Sequence, residues 1–240
     1  MNIPSLKISS NNKLLALFVL LGFYGCAQQQ PSSQIPGLTP IPSVVLVVPH
    51  DTISLTLAEK NDIASLRMVL NVAGLRCSEI SDSSLMESRP KGYNLMVVPY
   101  ATAKMLDDSS TQIILNSVKL GNNLITDGQS TLALKLGVRF LPTSITTSKM
   151  RDSRFSPNTL YWTTPSEIIP FDDDALSDST LAYDEVTKQP IALIGRYGKG
   201  RYISIATLFD PNTRQGTARF PFLVEWIEHD LGIARIAERA

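Results

Sequence analysis

The stretch from Tyr93 to Gly137 constrains the fold of this chain more than any other. It holds two short apolar runs, residues 93–99 (YNLMVVP) and 123–126 (NLIT), which predict buried strands. Between them, apolar residues at helical spacing predict a helix over residues 109–120. Neighbouring parallel strands need a long crossover, usually a helix, and such crossovers are right-handed. The stretch therefore predicts part of a parallel α/β sheet.

The same alternation of strand and helix begins earlier in the chain. Residues 43–49 (SVVLVVP) form a continuous β-branched run, which is typical of a strand buried on both faces. A helix is predicted over residues 56–72, a short strand over 75–80 and a further helix over 130–136. The predicted fold is therefore α/β, with a mostly parallel sheet flanked by helices.

The character of the sequence changes after Val138. Residues 139–158 are polar and predict a loop. The turn Gly198-Lys199-Gly200 predicts a hairpin, and residues 222–231 (FLVEWIEHDL) predict a closing amphipathic helix. The extension is thus predicted to be β-rich, with strands over residues 160–163, 167–171, 180–186, 190–197 and 201–208.

The first 25 residues follow the secretory pattern. Lys7 and Lys13 precede an apolar run, LLALFVLL, and Gly25-Cys26 comes soon after it. This order resembles a bacterial lipobox, which implies that Cys26 becomes a lipidated N-terminus. A plain membrane anchor is the first alternative, but about 20 residues are needed to span a bilayer. Ordinary signal cleavage, with Cys26 incidental, is the second.

Residues 26–42 are predicted to be a flexible tether between the anchor and the folded domain. Gln, Pro and Ser dominate this segment, so it cannot bury enough apolar surface to fold. Ala27 and Gln28 follow Cys26 with no Asp at the second place, which in enteric-type sorting favours the outer membrane. We therefore expect a lipid-anchored protein of the bacterial cell envelope, at the outer membrane and facing periplasm or exterior. The folded domain is expected over residues 43–232, with a tail over 233–240.

Composition argues against several classes of partner and cofactor. The 22 basic and 22 acidic residues balance, and no basic stripe indicates nucleic acid. Two cysteines are too few for a disulfide framework or a cysteine-rich zinc site. The acidic run Asp172-Asp173-Asp174 lacks the spacing of an EF-hand loop and predicts a solvated loop. No metal and no cofactor is expected.

The motifs YNLMVVPYATAKM, LGNNLITDG and LALKLGV together resemble the class I glutamine amidotransferase-like, flavodoxin-like superfamily. The hairpin IALIGRYGKGRYISIATLFD and the PFLVEWI segment resemble its non-catalytic branch, which occurs beside glycoside-processing domains, including the trimerisation domain of some β-galactosidases. The resemblance covers about residues 43–232. It implies a flavodoxin-like sheet and a link to carbohydrate.

The catalytic members of that superfamily carry a Cys on a sharp strand-to-helix elbow. Here the corresponding turn is Thr126-Asp127-Gly128-Gln129-Ser130, without a Cys. Cys77 falls inside a predicted strand, where a small buried hydrophobe is the expected role. The family's His–Glu pair is also absent, so we expect no amidotransferase chemistry.

A serine nucleophile is the alternative. Ser130 would need a His base within hydrogen-bond reach, and His50 follows a predicted strand at the correct edge of the sheet. The competing interpretation is that Ser130 caps a helix and that His50 and Asp51 begin a polar loop. A ligand site at this edge is predicted to contain His50, Asp51, Tyr100, Asp127, Gln129 and Ser130. Among other aromatic residues, Tyr161-Trp162 is the better candidate for sugar stacking, whereas Trp226 is expected in the core.

The function predicted from sequence is a lipid-anchored binding or interaction module with a catalytically inactive domain. Its expected partners are the membrane, through the lipid, and a polysaccharide or an envelope protein. Two alternatives remain. One is a serine- or carboxylate-dependent hydrolase at the strand ends, and the other is an N-terminal accessory domain of a larger glycan-processing enzyme.

Overall fold

The residues that the computed structural model describes all belong to the unit Ile41–Ala240. Cys26, the predicted tether, Asp173, Asp174 and all but the first residue of the predicted tail lie outside the described residues. The described residues are 44–72, 74–75, 77–88, 92–152, 154, 159–172, 180–206 and 223–233.

The described residues contain one sheet of nine strands, in the order β2-β1-β3-β4-β9-β8-β7-β5-β6. The strands are β1 (Val44–Val48), β2 (Cys77–Ser81), β3 (Leu95–Val98), β4 (Asn123–Asp127), β5 (Ile145–Asp152), β6 (Thr159–Ile168), β7 (Thr180–Asp184), β8 (Pro190–Tyr197) and β9 (Gly200–Ile205). The helices are α1 (Leu57–Val72), α2 (Leu85–Ser88), α3 (Tyr100–Ala103), α4 (Asp108–Leu120), α5 (Thr131–Lys135) and α6 (Leu223–Glu225), which continues as a π-helical turn (Trp226–Asp230).

Strands β2, β1, β3, β4 and β9 pair in parallel, and we call them the parallel half. Their order matches the 2-1-3-4-5 order of flavodoxin-like sheets. The side chains of β1 and β3 are almost all buried, as expected for strands whose sequences are continuous apolar runs. The parallel sheet predicted from the first half of the sequence is present.

The helices of the parallel half begin at side-chain caps. Thr56 and Glu59 form a capping box before α1: Thr56 N donates to Glu59 Oε2 (2.9 Å) and Glu59 N donates to Thr56 Oγ1 (3.3 Å). Asp107 accepts from Ser110 N (2.7 Å) and caps α4, which begins at Asp108, one residue before the predicted start. These caps satisfy N–H groups that helix geometry leaves without an intrahelical partner.

Strands β8, β7, β5 and β6 pair antiparallel, and we call them the antiparallel half. It joins the parallel half through the β8–β9 hairpin, which is also antiparallel. Four of the eight strand pairs are parallel and four are antiparallel, so the sheet is mixed rather than mostly parallel. The β-rich extension therefore continues the same sheet.

Two predictions for the antiparallel half were wrong. Residues 139–158 were expected to form a loop, but they contain the eight-residue strand β5. The predicted strands 160–163 and 167–171 are one strand, β6, with Pro165 inside it. Proline is tolerated there because β6 is the last strand of the sheet and one of its edges needs no ladder partner.

The predicted hairpin turn at Gly198-Lys199 is present, and close packing explains the glycine that follows it. A Cβ on Gly200 would lie 2.1 Å from Asn122 O and 2.4 Å from Val118 O. The start of β9 therefore packs directly against the backbone that ends α4. Any side chain at this position would push the hairpin away from the helix.

The closing segment (α6 and the π-helical turn) connects both halves. Trp226 is fully buried and its Nε1–H donates to Asp152 Oδ2 at the end of β5 (2.6 Å). Arg154 makes a bidentate bond to Asp230 (2.6 and 2.7 Å), while Asn123 of β4 donates to Leu231 O (3.1 Å). Trp226 is in the core as predicted. Among the described residues, no helix is both long and apolar enough to cross a membrane.

Candidate functional site

The elbow after β4 is the turn Asp127-Gly128-Gln129-Ser130. Gly128 has a positive φ of 67°, and its N–H donates to Ile205 O of the neighbouring strand (2.8 Å). Ser130 accepts from Ala133 N (3.2 Å) and so caps α5. The positive-φ position of the elbow is therefore held by a residue without a side chain, and the Ser130 hydroxyl is used to cap the helix that follows.

Tyr100 lies directly against this elbow. Its backbone N–H donates to Asp127 Oδ1, which ties the start of α3 to the end of β4. A Cβ built on Gly128 would lie 2.6 Å from Tyr100 Cδ2 and 2.9 Å from Cγ. The ring of Tyr100 thus fills the space that any side chain at the elbow glycine would need.

A cleft of about 570 Å³ opens beside Tyr100, and we call it the Tyr100 cleft. Its volume falls in the range of ordinary small-molecule sites, and it lies beyond the carboxyl ends of parallel strands, where α/β sheets bind ligands. The lining residues come from both halves: Asp62, Tyr100, Asp127, Gly128, Gln129, Pro142, Ser144, Glu167, Ile168, Ile169 and Ala206.

The polar groups of the cleft come from separate elements. Asp62 is on α1, Asp127 ends β4 and Glu167 is near the end of β6. Ser144 Oγ donates to Glu167 Oε1 (2.5 Å), which fixes that carboxylate at the wall. Behind the ring of Tyr100, a cavity of about 30 Å³ shares Asp62 and Asp127 with the cleft. It is large enough for a water molecule.

Only part of the predicted site comes together in this cleft. Tyr100, Asp127 and Gln129 line it, whereas His50, Asp51 and Ser130 are not among its lining residues. The geometry therefore divides the six predicted residues into three that face the cleft and three with other contacts.

His50 and Asp51 have local partners at the end of β1. His50 Nδ1 lies 2.8 Å from Asp82 Oδ1, and the His50 backbone N–H donates to the same oxygen (2.7 Å). Hydrogen bonds from Ser54 and Ile53 hold the pKa of Asp51 below its usual value. Since Ser130 Oγ bonds to Ala133 N, the described contacts of Ser130 and His50 are not those of a nucleophile and its base.

Three polar groups of the cleft were not predicted from the sequence: Asp62, Ser144 and Glu167. Asp62 is one of several charged residues along α1, and nothing in its spacing distinguishes it. Ser144 and Glu167 flank the paired residues Ile145 and Ile168, so they meet only through the β5–β6 register. Only a correct prediction of β5 and of its pairing with β6 could have brought Ser144 and Glu167 together from the sequence.

Cys77 does not have the environment of a reactive thiol. It lies in β2, half-buried, and burial together with the charge of Glu79 raises its pKa to about 11. A thiol with a raised pKa is almost entirely protonated at neutral pH and is a poor nucleophile. The structural role expected for this residue fits its position.

Two further groups of side chains lie outside the Tyr100 cleft. Tyr161 on β6 is 68% exposed, with Lys149 Nζ 5.6 Å from its ring centroid. In the described part of the chain, the one group of three residues with metal-ligand atoms within 4.8 Å of one another is Glu225, Glu228 and His229. Within it, His229 Nε2 and Glu225 Oε2 form an ion pair at 3.3 Å when the imidazole is protonated.

The sequence matches no family model, and a search of curated proteins finds no match either. Solved structures share the fold. The β-galactosidase of the haloarchaeon Halorubrum lacusprofundi has a TM-score of 0.59 and 11% identity, covering 80% of this chain and 30% of that chain. The β-galactosidase of Bacillus circulans sp. alkalophilus has a TM-score of 0.54 and 12% identity, covering 81% and 32%. This chain therefore spans about a third of the length of these enzymes.

A ThuA-like protein from Bacteroides uniformis is similar over most of both chains. Its TM-score is 0.54 at 10% identity, and the match covers 71% of this chain and 84% of that chain. ThuA-like proteins have a class I glutamine amidotransferase-like fold. At these identities the likeness extends to the fold, and the mixed α/β architecture is the property the proteins share.

Proposed function

We propose that this chain is a lipid-anchored protein of the bacterial cell envelope whose amidotransferase-like domain binds carbohydrate in the Tyr100 cleft without catalysing a reaction. The lipobox-like Gly25-Cys26 and the tether after it support the anchor. The fold shared with part of two β-galactosidases and with a ThuA-like protein supports the link to carbohydrate by analogy of fold.

One observation carries the proposal that the domain is non-catalytic. The elbow position holds Gly128, and the Tyr100 ring lies where a side chain on that residue would begin. An elbow nucleophile needs an exposed thiol or hydroxyl at the strained position, together with a base that contacts it. Here the space beside the elbow glycine holds an aromatic ring, which suits binding and not nucleophilic catalysis.

The composition of the cleft suits a sugar. Tyr100 is 42% exposed and offers a ring against which the apolar face of a pyranose can pack. Carboxylates such as Asp127 and Glu167 accept hydrogen bonds from sugar hydroxyls, and the Gln129 amide both donates and accepts. An aromatic face with a few convergent polar groups is the usual composition of a small-molecule site.

Calorimetry with a panel of neutral and charged oligosaccharides tests carbohydrate binding. We expect at least one to bind, and we expect Tyr100→Ala to weaken it about ten-fold because the stacking contact is lost. Tyr100→Phe keeps the ring and should bind within about two-fold of the parent protein. Tyr161→Ala removes the exposed tyrosine of β6, the other candidate for sugar stacking, and should leave the affinity unchanged if the sugar binds in the Tyr100 cleft. Equal losses for Tyr100→Ala and Tyr161→Ala would place the sugar elsewhere, and no binding to any sugar would refute the function.

The same oligosaccharides test for catalysis. Incubation with the protein, followed by mass spectrometry, should show no cleaved product. Cleavage that disappears in Ser130→Ala would establish a serine hydrolase. Cleavage that disappears in Glu167→Gln would instead establish carboxylate chemistry.

Metabolic labelling with a fatty acid tests the anchor. The native chain should take up the label and fractionate with the outer membrane, because lipidation of Cys26 is what holds it there. Cys26→Ala should remain unlabelled. Label that persists in Cys26→Ala would contradict lipidation at this residue.

A further inference from the structure

The charged groups of the Tyr100 cleft all have one sign. Three carboxylates line it, from Asp62, Asp127 and Glu167, and none of its lining residues in the described part of the chain is Lys, Arg or His. Lys104 Nζ contacts Glu59, which lines the small cavity next to Tyr100. A cleft with one sign of charge attracts ligands of the opposite sign and repels those of the same sign.

A tightly coordinated metal ion does not fit this arrangement. A cation such as Ca²⁺ needs several oxygen ligands at about 2.4 Å, so the ligand atoms must converge. Among the described residues, the three carboxylates of the cleft do not form a group with ligand atoms within 4.8 Å of one another. The negative groups are instead spread over the walls of about 570 Å³, which suits an extended organic cation.

Two features place an amine relative to a sugar ring. Asp127 lies beside Tyr100, since it accepts that residue's backbone N–H. An ammonium over the face of the ring on this side would meet both an aromatic ring and a carboxylate. Glu167 faces the cleft from β6 and is held by Ser144, so a second amine on the next sugar has an oriented partner. Ammonium–carboxylate bonds are stronger than bonds between neutral groups.

We propose that the Tyr100 cleft selects glycans that carry protonated primary amines, such as sugars whose 2-amino group is not acetylated. This inference rests on the proposed carbohydrate-binding function and names the class of sugar. N-acetylated sugars of the same size lack the charge, and uronic acids carry the opposite one. Both are expected to bind more weakly.

The experiment compares four soluble ligands by calorimetry, with the full chain purified in detergent. They are a glucosamine tetramer, an N-acetylglucosamine tetramer, a galacturonic acid tetramer and tetralysine. The glucosamine tetramer should bind at least about ten-fold tighter than its acetylated counterpart, and its affinity should fall as salt rises from 50 to 300 mM, values chosen because ionic screening grows over this range. The galacturonic acid tetramer should show no binding.

Matched variants locate the charge effect. Glu167→Gln keeps an oxygen that accepts from Ser144 but removes the charge, and it should weaken glucosamine binding about five-fold while leaving the acetylated sugar unchanged. Asp62→Asn should act in the same direction. Glu79→Gln removes a carboxylate from β2, at the opposite edge of the sheet, and should leave both affinities unchanged.

The outcomes separate the two proposals. Equal affinity for glucosamine and N-acetylglucosamine tetramers would overturn the amine preference and leave carbohydrate binding intact. Tetralysine binding without any glucosamine binding would overturn both, since the cleft would then recognise a basic peptide. A preference for the galacturonic acid tetramer would overturn the charge argument outright, and no binding by any ligand would overturn both proposals.

Discussion

The two halves of the sheet share one apolar core, but β1 and β3 consist almost entirely of apolar buried residues, whereas β5 and β7 each end in a buried carboxylate. In the parallel half, β1 and β3 bury almost nothing but aliphatic residues, and packing fixes the strands. In the antiparallel half, buried carboxylates also hold the strands in place. Asp152 accepts a hydrogen bond from Trp226 Nε1–H. Asp184 accepts a hydrogen bond from Thr187 N (2.6 Å) and contacts the Thr147 hydroxyl. Hydrophobic burial tolerates approximate fit, whereas buried polar groups require specific partners.

The Tyr100 cleft lies where these two halves meet. Tyr100 and Asp127 come from the parallel half, where Asp127 ends β4 and accepts the Tyr100 backbone N–H. Ser144 and Glu167 come from the antiparallel half and depend on the β5–β6 register. A change that loosens the antiparallel half should therefore reduce ligand binding before it unfolds the protein.

The largest expected effect is that of Trp226→Ala. This change removes a fully buried indole and its bond to Asp152, and we expect a loss of about 4 kcal/mol in the free energy of unfolding. Hydrogen exchange should show faster opening in β5 and β6 than in β1 and β3. Uniformly faster exchange across the sheet would show that the two halves do not differ in stability.

Leu46→Ala tests the other side of the comparison. Leu46 is fully buried in β1, and we expect a loss of about 3 kcal/mol from transfer and cavity terms. Because β1 lies inside the parallel half, exchange should rise in β1, β2 and β3 together. Chemical denaturation gives the stability change. A rise confined to β5 and β6 would reverse the roles we assign to the two halves.

The difference between the halves also explains which parts of the fold could be predicted from sequence. Continuous apolar runs identify β1 and β3 because strands buried on both faces need no alternation. Strand β5 (ITTSKMRD) was not predicted because its buried positions include the polar residues Thr147 and Asp152. In addition, a bulge between Thr147 and Lys149 breaks the alternation of buried and exposed side chains. Pro165 divided β6 into two predicted strands, although an edge strand accommodates proline.

The candidate site was predictable to the extent that it belongs to the parallel half. Tyr100, Asp127 and Gln129 follow strands whose ends meet at one edge, and that rule needs only the strand predictions. His50 follows a strand at the same edge, but its imidazole contacts Asp82 and does not line the cleft. Placing Glu167 and Ser144 in the site requires the β5–β6 register, which the sequence pattern does not reveal. Placing Asp62 there requires the orientation of α1.

Ser130→Ala and Ser144→Ala form a matched pair at the boundary between the halves. Ser130 caps α5, so its loss should cost about 1 kcal/mol of stability and leave sugar affinity within about two-fold. Ser144 is exposed and contacts Glu167, so its loss should leave stability unchanged and weaken glucosamine binding about three-fold. Thermal unfolding and calorimetry measure the two effects. If Ser130→Ala abolished binding at unchanged stability, its hydroxyl would have to contact the ligand.

The smallest expected effect concerns the response of the parallel half to acid. Hydrogen bonds from the Ser110 backbone N–H, and then from its side chain, hold the pKa of Asp107 below the usual 3.8. A carboxyl with a lowered pKa stabilises the fold above its unfolded-state pKa, and the contribution disappears as pH falls through the folded value. Asn caps helices as well as Asp does but does not titrate there. Asp107→Asn should therefore match the parent protein at pH 7 and lose less of its melting temperature as the pH falls below 3.8. Identical acid profiles for the two proteins would mean that the Asp107 cap forms equally well in its protonated state.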